Sequence, residues 1–292
     1  MAKMRTGGPP ALTIAPVGAA DQDGFVARHD NATPFHSRAW CDAVSAATGH
    51  RCHVIGAYDG GELRGLVPLH HIRSRLFGNA LVSSGFAVDG GILADDVATA
   101  LRLAAATEAL ATELGIGSVE LRGGALPSGQ GWHGEAATYA GFARDLAADD
   151  DSELLAIPRK QRAEVRKALE SVLTVTTGRD AGERRDHYAV YATSVRNLGT
   201  PVFARGLFDA VLDAFGDDAD ILTVREDGRP VASVLSLYWR GVVMPYWGGG
   251  TVDARRLRAN ELMYFALMRH ARARGCTRFD FGRSKVGTGP YA

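Results

Sequence analysis

The chain has 292 residues, 46% of them hydrophobic and 23% charged, which is the balance of a globular protein of about two domains. Its 33 Lys plus Arg against 33 Asp plus Glu leave no formal net charge, which argues against a general DNA binder or a polybasic membrane protein. Three cysteines without short spacings (Cys41, Cys52, Cys276) cannot frame a disulfide scaffold or a zinc site, and no apolar run is long enough to span a membrane. With no apolar leader in residues 1–24, the expectation is a cytoplasmic protein in a reducing compartment.

Taken in chain order, Thr33-Pro34-Phe35 precedes Trp40 as an aromatic staple before a helix. Cys52 to Tyr58, the turn Asp59-Gly60-Gly61 and Leu63 to His70 read as a β-hairpin. A strand-like run from Ala80 to Val88, a Gly90-Gly91 break and a helix from Asp96 to Leu114 follow, and then Gly115 and a short strand, Ser118 to Leu121. The same order recurs: Ile221 to Glu226, the turn Asp227-Gly228, Val231 to Trp239, Val242 to Trp247, the break Gly248-Gly249-Gly250, and a helix from Ala259 to Arg274. Gly275 and the strand Arg278 to Phe281 close the second series. Gly115 and Gly275 are 160 residues apart, and so are Glu120 and Asp280, so the chain reads as one α/β unit duplicated. The expected domains are 1–150 and 151–292. Between them an acidic run, Asp149-Asp150-Asp151, precedes a basic helix at 158–170, whose charges include Arg162 and Arg166.

The carrying segments are Thr33 to Trp40, Arg159 to Glu170, Ala259 to Tyr264 and Phe279-Asp280-Phe281-Gly282-Arg283-Ser284. On these the chain resembles FemAB-like proteins, which carry tandem GNAT-type acyltransferase folds, and in particular those associated with exosortase and exopolysaccharide loci. The resemblance implies an α/β (α+β) fold of two GNAT-like domains with mixed, mostly antiparallel sheets flanked by helices. It also implies transfer of an acyl or aminoacyl group to an amine on a cell-envelope or exopolysaccharide precursor, lipid-linked or nucleotide-linked. The donor would be acyl-CoA or aminoacyl-tRNA as co-substrate, with no tightly bound cofactor, and tRNA is admitted as a partner. Acyl-CoA enzymes of this fold hold pyrophosphate on a pattern like Arg/Gln-x-x-Gly-x-Gly/Ala at a helix start. Here Arg255-Arg256-Leu257-Arg258-Ala259-Asn260 keeps the first arginine but has Arg258 where the glycine belongs. Arg255, Arg256 and Arg258 are nonetheless candidates for holding a phosphate.

Aminolysis of an ester or thioester needs a neutral amine, a polarised carbonyl and a proton route, and it needs no metal. Asp280 is the candidate proton acceptor, against the alternative that it caps a loop, and Ser284 is the second catalytic candidate. Arg283 and Lys285 suit an acceptor phosphate or a developing oxyanion. Asn260 and Tyr264, four residues apart, share a helix face, where Asn260 could serve only as a cap. Tyr246 and Trp247, beside the glycine break, are expected to line the cleft, and Phe35 with Arg162 and Arg166 to reach the acceptor. Adjacent His70 and His71 face opposite ways on a strand, so no metal site is expected. The alternative function is a non-catalytic binding module built on the duplicated fold. The run at 136–146 is assigned to the first copy, which leaves the second sheet C-terminally incomplete, with an unpaired edge at the strand containing Asp280.

Overall fold

A computed structural model describes residues 12–74, 78–127, 131–135 and 138–287. The chain forms two compact units, residues 1–134 and 135–292, each built on a six-stranded sheet. In the first, strand β1 (Thr13–Pro16) leads into helices α1 (Ala19–Arg28) and α2 (Arg38–Thr48). Strands β2 (Arg51–Asp59), β3 (Glu62–Ser74), β4 (Gly78–Ser83) and β5 (Leu93–Ala94) follow, then helix α3 (Val97–Glu113) and strand β6 (Val119–Glu120). The strand order is β1-β2-β3-β4-β6, with β5 on β3, and β6 runs parallel to β4 while the other pairs are antiparallel. Asp96 caps α3 by accepting from Thr99 N–H at 2.7 Å. The buried stripe of α3, from Ala100 through Leu103 and Ala104 to Ala111, closes a core with Ile55, Val67, Leu69 and Leu81.

The second unit comprises β7 (Tyr139–Asp145), α4 (Asp150–Ala156), α5 (Arg159–Leu169), β8 (Thr174–Gly178), α6 (Ala181–Asn197) and α7 (Arg205–Phe215). It continues through β9 (Ala219–Glu226), β10 (Arg229–Trp239), β11 (Val242–Gly250), α8 (Ala254–Leu257), α9 (Ala259–Ala273) and β12 (Arg278–Lys285). Its strand order is β7-β12-β11-β10-β9-β8. The series β8-α6-α7-β9-β10-β11-α9-β12 repeats β1-α1-α2-β2-β3-β4-α3-β6, and in both sheets the strand after the last helix runs parallel to its neighbour. The duplication legible in the turn and glycine spacings is therefore present in the topology.

Two expectations are corrected. The boundary lies between Gly134 and Glu135 rather than at 150, and β12 is not an edge. Strand β7, expected in the first copy, pairs antiparallel with β12 from Arg278 opposite Asp145 to Lys285 opposite Tyr139. The physical reason is an ion-pair hub. Glu153 of α4, fully buried, takes Arg144 of β7, Arg272 of α9 and the Ala147 N–H, so charge neutralisation inside the second unit fixes the strand there. Removing one partner of such a buried pair costs about 3–5 kcal/mol. The strand expected to reach Val88 stops at Ser83, because Ser84 and Phe86 turn with φ of 41° and 65°.

Each unit also buries a neutral histidine. His70 accepts from Gly85 N–H at 2.9 Å, and burial pushes its pKa down to about 4. His187 of α6 lies 3.0 Å from Ser233 Oγ, and burial pushes it down to about 3. The unfolded chain takes up these protons near 6.5, which the folded chain refuses until pH 4 or 3, so stability is full above about 6.5 and falls on acidification. Thermal melts should show decreasing stability from pH 6.5 to 4, with a slope of up to about 1.4 kcal/mol per pH unit for each histidine. His187→Gln should flatten the slope of the second unit whatever it does to the melting point at pH 7. An unchanged slope would refute the assignment.

Candidate functional site

The hydrogen-bond ladder between β11 and β12 is two residues long, Val242 with Arg278 and Val243 with Phe279. Beyond these the strands part, and the edge of β11 from Met244 to Gly250 turns its backbone groups toward the gap. Across β10 the register shifts between Leu235 and Ser236, opposite Trp247 and Pro245, which makes Tyr246 the extra residue of a β-bulge. Trp247 is buried against Phe208 of α7, with ring centroids 4.6 Å apart, and Tyr246 packs on Trp247 at 4.8 Å.

Gly248, Gly249 and Gly250 are not a break in the strand. They pair with Val234, Ser233 and Ala232 as the end of β11. A Cβ on Gly249 would lie 2.4 Å from Ser194 Cβ and Oγ of α6, and one on Gly250 would lie 2.5 Å from Ala254 Cβ and 2.9 Å from Asn260 Oδ1. The glycines let helices press on the strand end from both sides, which is a requirement for close approach rather than for flexibility.

Asn260 therefore sits against the last residue of β11, and Thr251 follows that residue. Among the described residues, Asn260 Oδ1 and Thr251 Oγ1 are buried without a hydrogen-bond partner. Two such atoms at one strand end invite a bound group, because each unpaired buried polar atom costs about 1–3 kcal/mol. Asn260 is not the cap of α9; Arg258 holds that place in the left-handed conformation, φ 58° and ψ 30°. The site of the missing glycine thus keeps a glycine-like backbone although its residue is arginine.

The three arginines at this helix start are not equivalent. Arg258 pairs with Glu164 of α5, and Arg256 lies 3.6 Å from both Glu226 and Asp253. Arg255 is exposed and has no ion pair among the described residues. Tyr264, one turn beyond Asn260, stacks on Phe281 of β12 at 6.4 Å, and desolvation raises its phenol pKa.

On β12, Asp280 Oδ1 accepts from Gly282 N–H at 2.8 Å and closes the bulge between Asp280 and Arg283, which is the loop-capping alternative in part. Arg283 stacks over Tyr139 of β7 at 4.6 Å. Ser284 is half-buried and borders a groove of about 680 Å³ with Phe142, Arg144 and Phe281, whereas Lys285 is exposed. Topology thus brings Tyr246 and Trp247 to one side of the gap, with Asp280, Arg283, Ser284 and Lys285 along the other strand and Asn260 and Tyr264 on the helix that bridges them.

The remaining candidates lie elsewhere. Phe35 is fully buried in the first unit, edge-on to Trp40 at 4.8 Å, so its ring is core and not an acceptor contact. Arg162 binds the Leu155 and Ile157 carbonyls and closes the end of α4, while Arg166 is exposed on α5. Glu120, the first-copy equivalent of Asp280, pairs with Arg122 at 2.7 Å. The corresponding gap of the first unit is sewn shut. Ser83 Oγ at the end of β4 accepts from Arg122 N–H at 2.8 Å, and buried Ser84 binds the Phe35 and Gly90 carbonyls. Thr251 and Ser194 went unnoticed in the sequence because nothing in it places a helix against the glycine run. No group of three or more His, Cys, Asp or Glu among the described residues could hold a metal, and no described helix is long and apolar enough to cross a membrane.

A close-approach strand end predicts a steep cost for bulk. Gly249→Ala should destabilise the second unit by roughly 1–3 kcal/mol, and Ser194→Gly in the same chain should recover most of that loss. A double-mutant cycle of melting curves showing no coupling would refute the contact.

Residues 159–291 match the Acetyltransferase (GNAT) domain family. None of the curated protein sequences matches the chain. Its fold is similar to that in the crystal structure of FemX, with a TM-score of 0.65 at 14% identity over 96% of this chain and 90% of that one. It is similar to a tandem GNAT protein from the clavulanic acid biosynthesis pathway, with a TM-score of 0.54 at 13% identity over 96% and 92%. It is also similar to L-PGS from Bacillus licheniformis, with a TM-score of 0.51 at 13% identity over 95% and 82%. The chain thus has a tandem GNAT-like fold, similar to that of FemX, and its GNAT-domain match falls within the second unit.

Proposed function

We propose that the second unit is an N-acyltransferase that moves an acyl or aminoacyl group from an activated donor to an amine. The observation that carries this reading is the pair of buried oxygens, Asn260 Oδ1 and Thr251 Oγ1, unpartnered among the described residues, at the end of the strand that leaves β12 after Val243. The edge of β11 offers its amides to an extended amide-bearing chain such as the pantetheine arm of acyl-CoA. The first N–H groups of α9 face an anion at the donor's far end, with Arg255 beside them. The left-handed backbone at Arg258 fits that approach, while its side chain, held by Glu164, does not occupy it.

In the transfer, the amine nitrogen bonds to the carbonyl carbon, the bond to the leaving sulfur or oxygen breaks, and one proton passes from the amine. Asp280 accepts that proton directly or through water. Tyr264, kept protonated by its raised pKa, donates to the leaving atom. Arg283 and Lys285 bind the anionic part of the acceptor, and Ser284 hydrogen-bonds beside them. The acceptor class we favour is a nucleotide-linked or lipid-linked cell-envelope or exopolysaccharide precursor handled in the cytoplasm, on the strength of the FemAB-like resemblance. A non-catalytic module is disfavoured because the first unit seals its gap with side-chain hydrogen bonds and the second does not do so in the same way.

The purified chain should transfer label from a panel of acyl-CoA thioesters or aminoacyl-tRNAs to amino-sugar and peptide amines. Asp280→Asn should cut kcat about a hundredfold or more with the fold intact. Asn260→Ala should instead weaken donor binding about tenfold, seen as loss of the melting-point rise that the donor confers. Undiminished transfer in both variants would overturn the site. No transfer from any donor would leave the binding module as the better reading.

A further inference from the structure

Helix α3 carries a second stripe beside its buried one: Arg102, Ala105, Ala106, Ala109, Leu110 and Glu113. With β1 and the start of β2 it bounds a groove of about 780 Å³. The 160-residue repeat maps this stripe onto Leu262, Phe265, Ala266, Arg269, His270 and Ala273 of α9, which bound the matching groove of the second unit beside β8 and β9. The two grooves are the same place in the duplicated fold.

What covers this place is visible in the second unit. Helix α5 lies along α9, with Ala168 buried in the same core cluster as Leu222, Val224 and Leu262, and Leu169 lining what remains of the groove, about 340 Å³. Glu164 of α5 ties the helix to the head of α9 through Arg258. In the first unit Ala105 and Ala109, at the positions of Phe265 and Arg269, are exposed. Phe265 of α9 is replaced there by Ala105, so the surface is cut lower at that position. Alanines at 105, 106 and 109 allow a helix axis to approach to about 8 Å. The stripe from Arg102 to Glu113 runs about 17 Å, three turns of helix, and α5 is itself 11 residues long.

The rim supplies the polar half of the recognition. Arg51 and Arg102 are exposed without an ion pair among the described residues, against the single carboxylate of Glu113. His53 Nε2 in the groove is buried without a hydrogen-bond partner among them. A flanking carboxylate on the occupant would meet Arg102 as Glu164 meets Arg258, one helical turn displaced.

We propose that the groove between α3 and β1-β2 docks a three-turn amphipathic helix of a partner protein, with aliphatic residues on its buried stripe and acidic residues beside it. The inference is independent of the transfer chemistry, since it concerns the other unit. Two fluorescein-labelled 14-residue helical peptides test it on the full chain, with the same leucine stripe flanked by Glu in one and by Lys in the other. Fluorescence anisotropy should show the Glu peptide binding at least tenfold more tightly. Ala109→Arg and Ala105→Gln, both at exposed positions, should weaken it tenfold or more with unchanged melting points, and Arg102→Glu should reverse the preference. Equal binding of both peptides, no binding of either, or binding indifferent to both alanine variants would overturn the proposal. A wild-type dimer in sedimentation that Ala109→Arg dissociates would assign the groove to a second copy, and dodecanoate binding without peptide binding would assign it to an acyl chain. Either outcome overturns the helix.

Discussion

The second unit depends on how soon β11 leaves β12. Two residues of parallel ladder are enough to set the direction of both strands, and everything past Val243 and Phe279 follows from their divergence. Divergence exposes the backbone edge of β11, which a sheet tolerates only where something else meets it. The three glycines at 248–250 do not loosen the strand. They let α6 and the α8-α9 segment close on it, so the strand end is held while its edge stays turned to the gap. A rigid edge with its backbone groups fixed in place would cost no reorganisation on meeting the proposed donor, which is what electrostatic preorganisation requires.

Holding β12 away from β11 requires a grip from its other side, and β7 supplies it. Its pairing runs the length of β12, and the bulge at Asp280 to Arg283 is set against it. Buried Glu153 then fixes Arg144 of β7 and Arg272 of α9 to one carboxylate, so strand, helix and linker are joined by a charge that has nowhere else to be neutralised. The acidic run at 149–151 and the basic positions of α9 are partners: Asp150 takes Arg269 and Arg272. A net charge of zero thus conceals a set of paired clusters inside one unit.

Much of this fold can be read from local chemistry. Turn residues at 59–61 and 227–228 mark the hairpins, and Gly115 and Gly275 mark the ends of α3 and α9 where the structure has them. The duplication follows from the same signals. What local chemistry cannot carry is pairing between segments far apart in the chain. Residues 139–145 alternate like any edge strand, and nothing within them states whether β6 or β12 is the neighbour; the decision lies with Glu153 and Arg272. The glycine run reads as a break for the same reason, since the helices that require it come from residues 194 and 254–260. The resemblance to FemAB-like proteins locates Asn260, Tyr264 and Asp280 near one gap, but Thr251 escapes it. Phe35 misleads, because an aromatic before a helix signals a staple and a ligand contact equally well, and here burial decides for the core.

Duplication provides two copies of every gap that the unit leaves, and the two copies resolve them oppositely. Where the central strands part, the first unit stitches the gap with Ser83, Ser84 and Arg122, while at the end of β11 in the second the Asn260 and Thr251 side-chain oxygens have no partner among the described residues. Where the main helix fails to cover the outer strands, the second unit lays α5 into the groove, while the first presents exposed alanines and arginines. Neither difference follows from the stability of the repeat, because each filled gap shows that filling is sterically available and lowers the energy by burying apolar area or satisfying polar atoms. A gap that could be filled and is not costs stability in proportion to what it exposes. That cost falls on the strand edge in one unit and on the helix groove in the other, the two surfaces for which we propose acyl transfer and helix docking.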